Sequence, residues 1–208
     1  MCKVLCVTNR RLCPDSLEKR IEAAARGGAW GILLREKDLA PDAYLTLARS
    51  VLTVCRDSGV RCILYDPQAA RLLGADGVQL PMPVLRSLPA DERRALPPIG
   101  ASCHSVQEAQ EAAALGASSL IAGHIFDTAC KQGLPGRGLA FLRDVCKSTT
   151  LPVYAIGGIT PDRMQDVCAA GAAGVCIMSS WMQCPDAQAH IAAFTRPVPP
   201  QEDSHAIG

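Results

Sequence analysis

The residues with the clearest chemical potential lie in one stretch, Ala122 to Gly138, which reads AGHIFDTACKQGLPGRG. An apolar run over 119–122 ends at Gly123 and is followed at once by His124, then by Asp127, Thr128, Cys130, Lys131 and Arg137. Four glycines and one proline between Gly123 and Gly138 exclude a regular helix or strand beyond Phe126. A histidine at a strand end, with a hydroxyl and a lysine on the loop that follows, places a proton carrier beside an anion. An imidazole with an ordinary pKa of about 6.5 changes charge near neutral pH. His124 is therefore the candidate acid–base residue, with Thr128 as a hydrogen-bond donor and Lys131 as an anion ligand.

Further groups at the ends of other apolar runs point to anions. Gly157-Gly158, in Ala155-Ile-Gly-Gly-Ile159, would let backbone N–H groups approach an anion. Ser179-Ser180, after Val175-Cys-Ile-Met178, would open a short helix whose N-terminus favours negative charge. Together they read as a phosphate cup. Arg35 and Lys37 stand at i and i+2, so both project from one face and could hold a second anionic group. Solvated ion pairs with Glu36 or Asp38 would instead neutralise them. Ser102 is a further binding candidate. His104 leads into Ser105-x-x-Glu108, a capping box, and could be structural. Cys103 and Cys130 are the cysteines near these ends, and a nucleophilic cysteine needs an adjacent base. A divalent metal beside a phosphate wants two carboxylates. Asp66 is one, and Gln79-Leu-Pro-Met-Pro-Val84 supplies none, so no metal is expected.

The elements that position these groups follow from hydrophobic period. Short apolar runs predict strands over 3–8, 30–34, 62–65, 77–80, 99–102, 119–122, 152–156 and 174–178. Helical patterns lie between them, except that five prolines between Pro81 and Pro98 leave that region irregular, with at most a short helix over 91–95. Alternation of strand and helix implies a parallel sheet. The phrase Gly-Ala recurs at 28–29, 74–75, 116–117 and 171–172, each time before an even-numbered strand. A repeat every two units suits a single (β/α)₈ barrel of the TIM type, whose interior layers come from alternate strands. A doubly wound open sheet is the alternative, but it would want a glycine-rich turn where Val7-Thr-Asn-Arg-Arg11 stands. The barrel is expected over 1–195. Residues 196–208, rich in Pro, Glu, Asp and Ser, read as a flexible tail. In a barrel of this kind the strand C-termini form the active face, and all the candidates above lie there.

Composition narrows the partners. A net charge of +1 argues against nucleic acid and acidic membranes, and few aromatics argue against a base-stacking platform. No run approaches the roughly 18 apolar residues of a membrane span, and no signal-peptide pattern opens the chain. Eleven cysteines form no CxxC pair, and several lie in apolar runs. They read as buried thiols in a reducing cytoplasm rather than a disulfide framework. A small-molecule substrate and a homo-oligomer are expected.

Four phrases together carry a resemblance: Leu34-Arg-Glu-Lys37, Leu73-Gly-Ala-Asp-Gly-Val78, Ala155-Ile-Gly-Gly-Ile-Thr-Pro161 and Gly171 to Ser179. They resemble the thiamine phosphate synthase superfamily, over nearly all of residues 3–182. That group holds synthases and TenI-type thiazole tautomerases. The loop Gly123-His-Ile-Phe-Asp-Thr-Ala-Cys-Lys-Gln-Gly-Leu-Pro-Gly-Arg-Gly138 looks like the tautomerase pattern G-H-x-F-x-T-x-C-K-x-G-x-x-G-R-G. Synthases carry G-P-x-F-x-T-x-T-K there, and a G-Q-x-D phrase after the fourth strand whose Asp holds magnesium; Pro81 to Val84 replaces it here. The resemblance implies a cofactor-free isomerase of thiamine biosynthesis that aromatises a thiazole phosphate carboxylate. His124 would carry the proton. Gly157, Gly158, Ser179 and Ser180 would hold the phosphate, and Arg35, Lys37 or Lys131 the carboxylate. A thiamine phosphate synthase, or a regulatory protein that only binds a thiazole phosphate, are the alternatives.

Overall fold

A computed structural model describes residues 2–128, 131 and 133–195. The chain runs β1 (Lys3–Val7), α1 (Leu17–Arg26), β2 (Gly31–Leu34), α2 (Pro41–Asp57), β3 (Arg61–Leu64), α3 (Pro67–Leu73), β4 (Gly77–Pro81), α4 (Met82–Ser87) and α5 (Ala90–Arg94). It continues through β5 (Ile99–Cys103), α6 (Val106–Ala114), β6 (Ser119–Gly123), α7 (Gly138–Lys147), β7 (Val153–Ile156), α8 (Met164–Ala169), β8 (Gly174–Ile177), α9 (Ser179–Gln183) and α10 (Ala187–Thr195). Every strand pairs in parallel with its sequence neighbours, and β1 pairs with β8, so the sheet closes into a (β/α)₈ barrel. The glycine of each Gly-Ala phrase has positive φ, from 62° to 99°, which lets a helix end and turn into an even-numbered strand. The proposed tail after Thr195 lies outside the described residues.

Strand alternation divides the core in two. Val4, Cys6, Ile32, Leu34, Cys62 and Leu64 face outward and pack under the helices. Leu5, Val7, Leu33, Ile63, Ile121, Tyr154 and Cys176 form a separate buried cluster that fills the lumen. Large lumen side chains fit because small ones stand opposite. A Cβ on Gly31 would press on Ile63 at 3.1 Å and Leu5 at 3.2 Å. Trp30 closes the N-terminal mouth, stacked on Tyr154 at 5.5 Å with Lys3 and Arg61 within 4.9 and 5.2 Å of its ring. These contacts leave the opposite end, where the candidate site lies, to polar side chains.

Two expectations need correction. The region after β4 is a helical turn, α4, rather than irregular chain. Pro83 falls in its first turn, where a missing N–H costs nothing. The cysteines are not all thiols: Cys2 and Cys168 form a disulfide, with Cα atoms 6.7 Å apart. Barrel closure brings the start of β1 beside the α8–β8 connection, a contact invisible in a chain separation of 166 residues.

One buried cation braces the closure. Arg20 on α1 is 2 % exposed, and its Nη1 donates to the carbonyls of Trp181 (3.1 Å) and Cys184 (2.7 Å) at the end of α9. Its Nη2 pairs with Asp15 at 2.6 Å. Trp181 in turn donates from Nε1 to the Val7 carbonyl at 2.8 Å. Arg20→Ala would take the guanidinium donor from the Cys184 carbonyl and leave the Trp181 carbonyl with the Cys184 thiol, 3.2 Å away, at a cost of roughly 1–3 kcal/mol for a buried group left unpaired. Urea unfolding should show a loss of that size. An unchanged midpoint would mean that α9 holds its place without Arg20.

Candidate functional site

The site is built from the ends of β1 and β2 upward. Glu36 follows β2 and is buried, 2 % exposed. Its Oε1 accepts from the Thr8 hydroxyl at 2.6 Å and from the Arg10 backbone N–H at 3.0 Å. Its Oε2 accepts from Arg10 Nη1 at 3.1 Å. The Thr8 hydroxyl oxygen also accepts from the Arg35 N–H at 3.0 Å. Arg10 bridges further to Asp38 at 2.6 Å, and Arg11 reaches the same carboxylate at 2.9 Å. Glu36 is buried, whereas Arg35 and Lys37 on either side of it, past the end of β2, are exposed. The carboxylates that could have neutralised those two cations are thus taken by Arg10 and Arg11. Among the described residues, neither Arg35 nor Lys37 has a carboxylate within ion-pair distance.

The electrostatics agree. Partial burial lowers the Lys37 pKa from its ordinary value, and the positive charges of Arg35 and then Lys131 lower it further. Arg35 and Lys131 therefore lie near enough to Lys37 for their charges to act on it. Tyr44, buried on α2, steadies the same rim: its hydroxyl donates to the Leu34 carbonyl at 3.1 Å and accepts from the Tyr65 N–H at 3.4 Å. Sequence places Thr8 at a strand end by the mouth without giving it a role, and it misses Glu36 and Tyr44 as site residues. The Arg-Glu-Lys alternation at a strand end was the available signal for Glu36.

Gly157 and Gly158 follow β7 with φ of 103° and 62°, and Ser179 and Ser180 open α9 after β8. β7 and β8 are neighbours, so the four residues share one edge of the mouth. Their backbone N–H groups meet no acceptor among the described residues. The glycines answer a second demand as well. Ile125 N–H donates to the Ile156 carbonyl at 2.8 Å and Phe126 N–H to the Gly157 carbonyl at 3.0 Å, which extends the β6–β7 ladder past the strands. A side chain on Gly157 would strike His124, and one on Gly158 would strike Phe126 and Asp127. Arg163 locks this turn: Nη1 donates to the Gly158 carbonyl at 2.7 Å, and the guanidinium sits 4.3 Å from the Phe126 ring centre.

On the lumen floor Gln79, 8 % exposed, donates from Nε2 to Ser102 Oγ at 3.0 Å. His104 places Nδ1 2.9 Å from the Gly123 carbonyl, and its backbone N–H donates to Glu108, which is part of the capping arrangement. His124 places Nε2 3.2 Å from the Leu134 carbonyl. The Thr128 carbonyl accepts from the Lys131 N–H at 3.0 Å. Cys103 faces the outer core, and burial raises its thiol to about 11, which removes it as a nucleophile. Cys130 lies outside the described residues. Asp66 caps α3, its Oδ1 accepting from the Ala69 N–H at 2.7 Å.

A family model described as thiamine monophosphate synthase matches residues 4–181. The chain belongs to the thiamine monophosphate synthase family. A thiamine-phosphate synthase of Roseiflexus castenholzii is 37 % identical over 193 residues, 89 % of this chain and 83 % of that protein. One from Methanoregula boonei is 38 % identical over 169 residues, 78 % and 77 % of the two chains. Among solved structures, a thiamine phosphate pyrophosphorylase from Pyrococcus furiosus superposes with a TM-score of 0.81 at 29 % identity, covering 93 % of each chain. These relatives correct the expected activity. They carry the names of transferases, so the isomerase expected from the loop is overturned, and with it the aromatisation assigned to His124. The loop resemblance spans sixteen residues, whereas the synthase match spans the barrel.

The Arg10–Asp38 pair makes a test of the rim. Hydrogen bonding to Arg10 lowers the Asp38 pKa from 3.8 to about 2. A depressed carboxylate contributes stability above its unfolded pKa and loses it as pH falls through the folded one. Acid titration of the fold should therefore steepen between 3.8 and about 2, and Asp38→Asn should flatten that segment. Identical acid limbs for the two proteins would show that Arg10 does not engage Asp38 in solution.

Proposed function

We propose that the chain makes thiamine phosphate, joining a thiazole phosphate to a pyrimidine that arrives as its pyrophosphate ester. The observation that carries this reading is a group of cations, Arg35, Lys37 and Lys131, without carboxylate partners among the described residues, at one side of a mouth whose other edge carries Gly157, Gly158, Ser179 and Ser180. Two anion sites suit two anionic substrates. The family match and the names of the relatives support the same reading.

In the reaction the thiazole ring nitrogen supplies the electron pair of a new C–N bond to the pyrimidine methylene carbon. The C–O bond to pyrophosphate breaks, and its electron pair leaves with the pyrophosphate. Gly157, Gly158, Ser179 and Ser180 hold the thiazole phosphate. Arg35, Lys37 and Lys131 neutralise the charge that grows on the leaving pyrophosphate. Gln79 and Ser102 offer the floor's polar atoms to a heterocycle. Magnesium is the ion that the synthase pattern implies. No three His, Cys, Asp or Glu side chains among the described residues stand close enough to cage an ion. From sequence two carboxylates are wanted, but one beside substrate phosphates is already a donor set that magnesium accepts, and Asp66 Oδ2 has no partner among the described residues. Asp66 would hold such an ion, which would screen the pyrophosphate charge.

The test is coupling. Purified protein with thiazole phosphate, pyrimidine pyrophosphate and magnesium should release thiamine phosphate and pyrophosphate in equal amounts. Lys37→Ala should raise KM for the pyrophosphate ester about tenfold, or roughly 1.4 kcal/mol. Binding of both substrates with no coupling would make the chain a binding protein and remove the transferase.

A further inference from the structure

The transfer just described moves no proton, yet a histidine stands at the end of β6. We infer that His124 is a positioning residue: its imidazole latches the loop between β6 and α7 so that Lys131 reaches the anion held by Arg35 and Lys37. The inference rests on the transferase reading for the identity of that anion.

The hydrogen bonds of the loop define the latch. At the root, Arg137 N–H donates to the His124 carbonyl at 3.0 Å and Gly138 N–H to the Ile125 carbonyl at 2.8 Å. Asp127 Oδ1 accepts from the Gly136 N–H at 2.6 Å. Further out, Leu134 N–H donates to the Lys131 carbonyl at 3.1 Å, so Lys131 and Leu134 belong to one turn. Leu134 in that turn is 59 % exposed. His124 Nε2 meets this turn at the Leu134 carbonyl, 3.2 Å away. A carbonyl can only accept, so Nε2 carries the hydrogen of this bond and is not a free base. His104 supports the same loop from below through the Gly123 carbonyl. Lys131 is close enough to Lys37 to act on its charge. Losing the latch therefore frees the turn that carries the third cation.

The latch is tested without substrate and then with inorganic pyrophosphate. A net hydrogen bond corresponds to about a two- to tenfold change in a local equilibrium. Trypsin should cut ligand-free His124→Ala after Lys131 and Arg137 faster than wild type by about that factor. His124→Gln, whose amide N–H can still donate, should restore much of the protection. By calorimetry, His124→Ala should weaken pyrophosphate binding by about two- to tenfold. In a Lys131→Ala background the same substitution should have no further effect, because the cycle isolates what passes through Lys131. Unchanged tryptic rates overturn the latch. An undiminished effect on binding in the Lys131→Ala background overturns the route through Lys131. Loss of kcat with unchanged pyrophosphate affinity overturns the positioning role. If wild type fails to bind pyrophosphate while the tryptic difference stands, the transferase reading falls with the anion role, and the loop contact alone is supported.

Discussion

A buried carboxylate organises the mouth of this barrel. Glu36 sits among the Thr8 hydroxyl and the Arg10 backbone and guanidinium, 2 % exposed, and every oxygen has a donor. A buried charge without such donors would be expensive; with them it becomes a fixed point. Arg35 and Lys37, on either side of the buried Glu36, stay exposed, and their nearest acidic neighbours in sequence are occupied elsewhere. Partial burial, and then the nearby charges of Arg35 and Lys131, lower the Lys37 pKa, so a bound anion would relieve the charge at this site.

The second edge of the mouth is arranged by backbone. Positive φ at Gly157 and Gly158 lets the β7 turn pass under His124 and Asp127 while its N–H groups meet no acceptor among the described residues. Arg163 and Phe126 clamp that turn, and Arg20 clamps the end of α9 from behind. Both edges are thus held by side chains that do not line the mouth. Such supporting contacts are what keep a binding geometry within the tolerance that catalysis needs.

Much of this was legible in the chain. The Gly-Ala phrases marked the helix ends before even-numbered strands, and their positive φ values explain why glycine stands there. Arg35, Lys37, Gly157, Gly158, Ser179 and Ser180 fall at strand ends as periodicity placed them. α4 was hidden because Pro83 reads as a breaker until it is known to occupy a first turn. The roles of Thr8, Glu36 and Tyr44 were hidden because their partners lie on other strands and helices. The activity was misread for a related reason. A short loop phrase containing His124 outweighed the rest of the barrel, and nothing in that phrase shows that Nε2 meets the Leu134 carbonyl.

On the proposed reading, the unneutralised cations that follow β2 take the pyrophosphate because Arg10 keeps the acidic residues away from them. This claim is tested most directly by comparing inorganic pyrophosphate affinity, by calorimetry, in Arg10→Gln and Arg11→Gln. Each removes one positive charge, but Arg11 touches only Asp38 and is largely exposed, whereas Arg10 holds both Glu36 and Asp38. The account predicts a loss of about tenfold or more, roughly 1.4 kcal/mol, for Arg10→Gln and little change for Arg11→Gln. Equal affinities in two folded variants would contradict it.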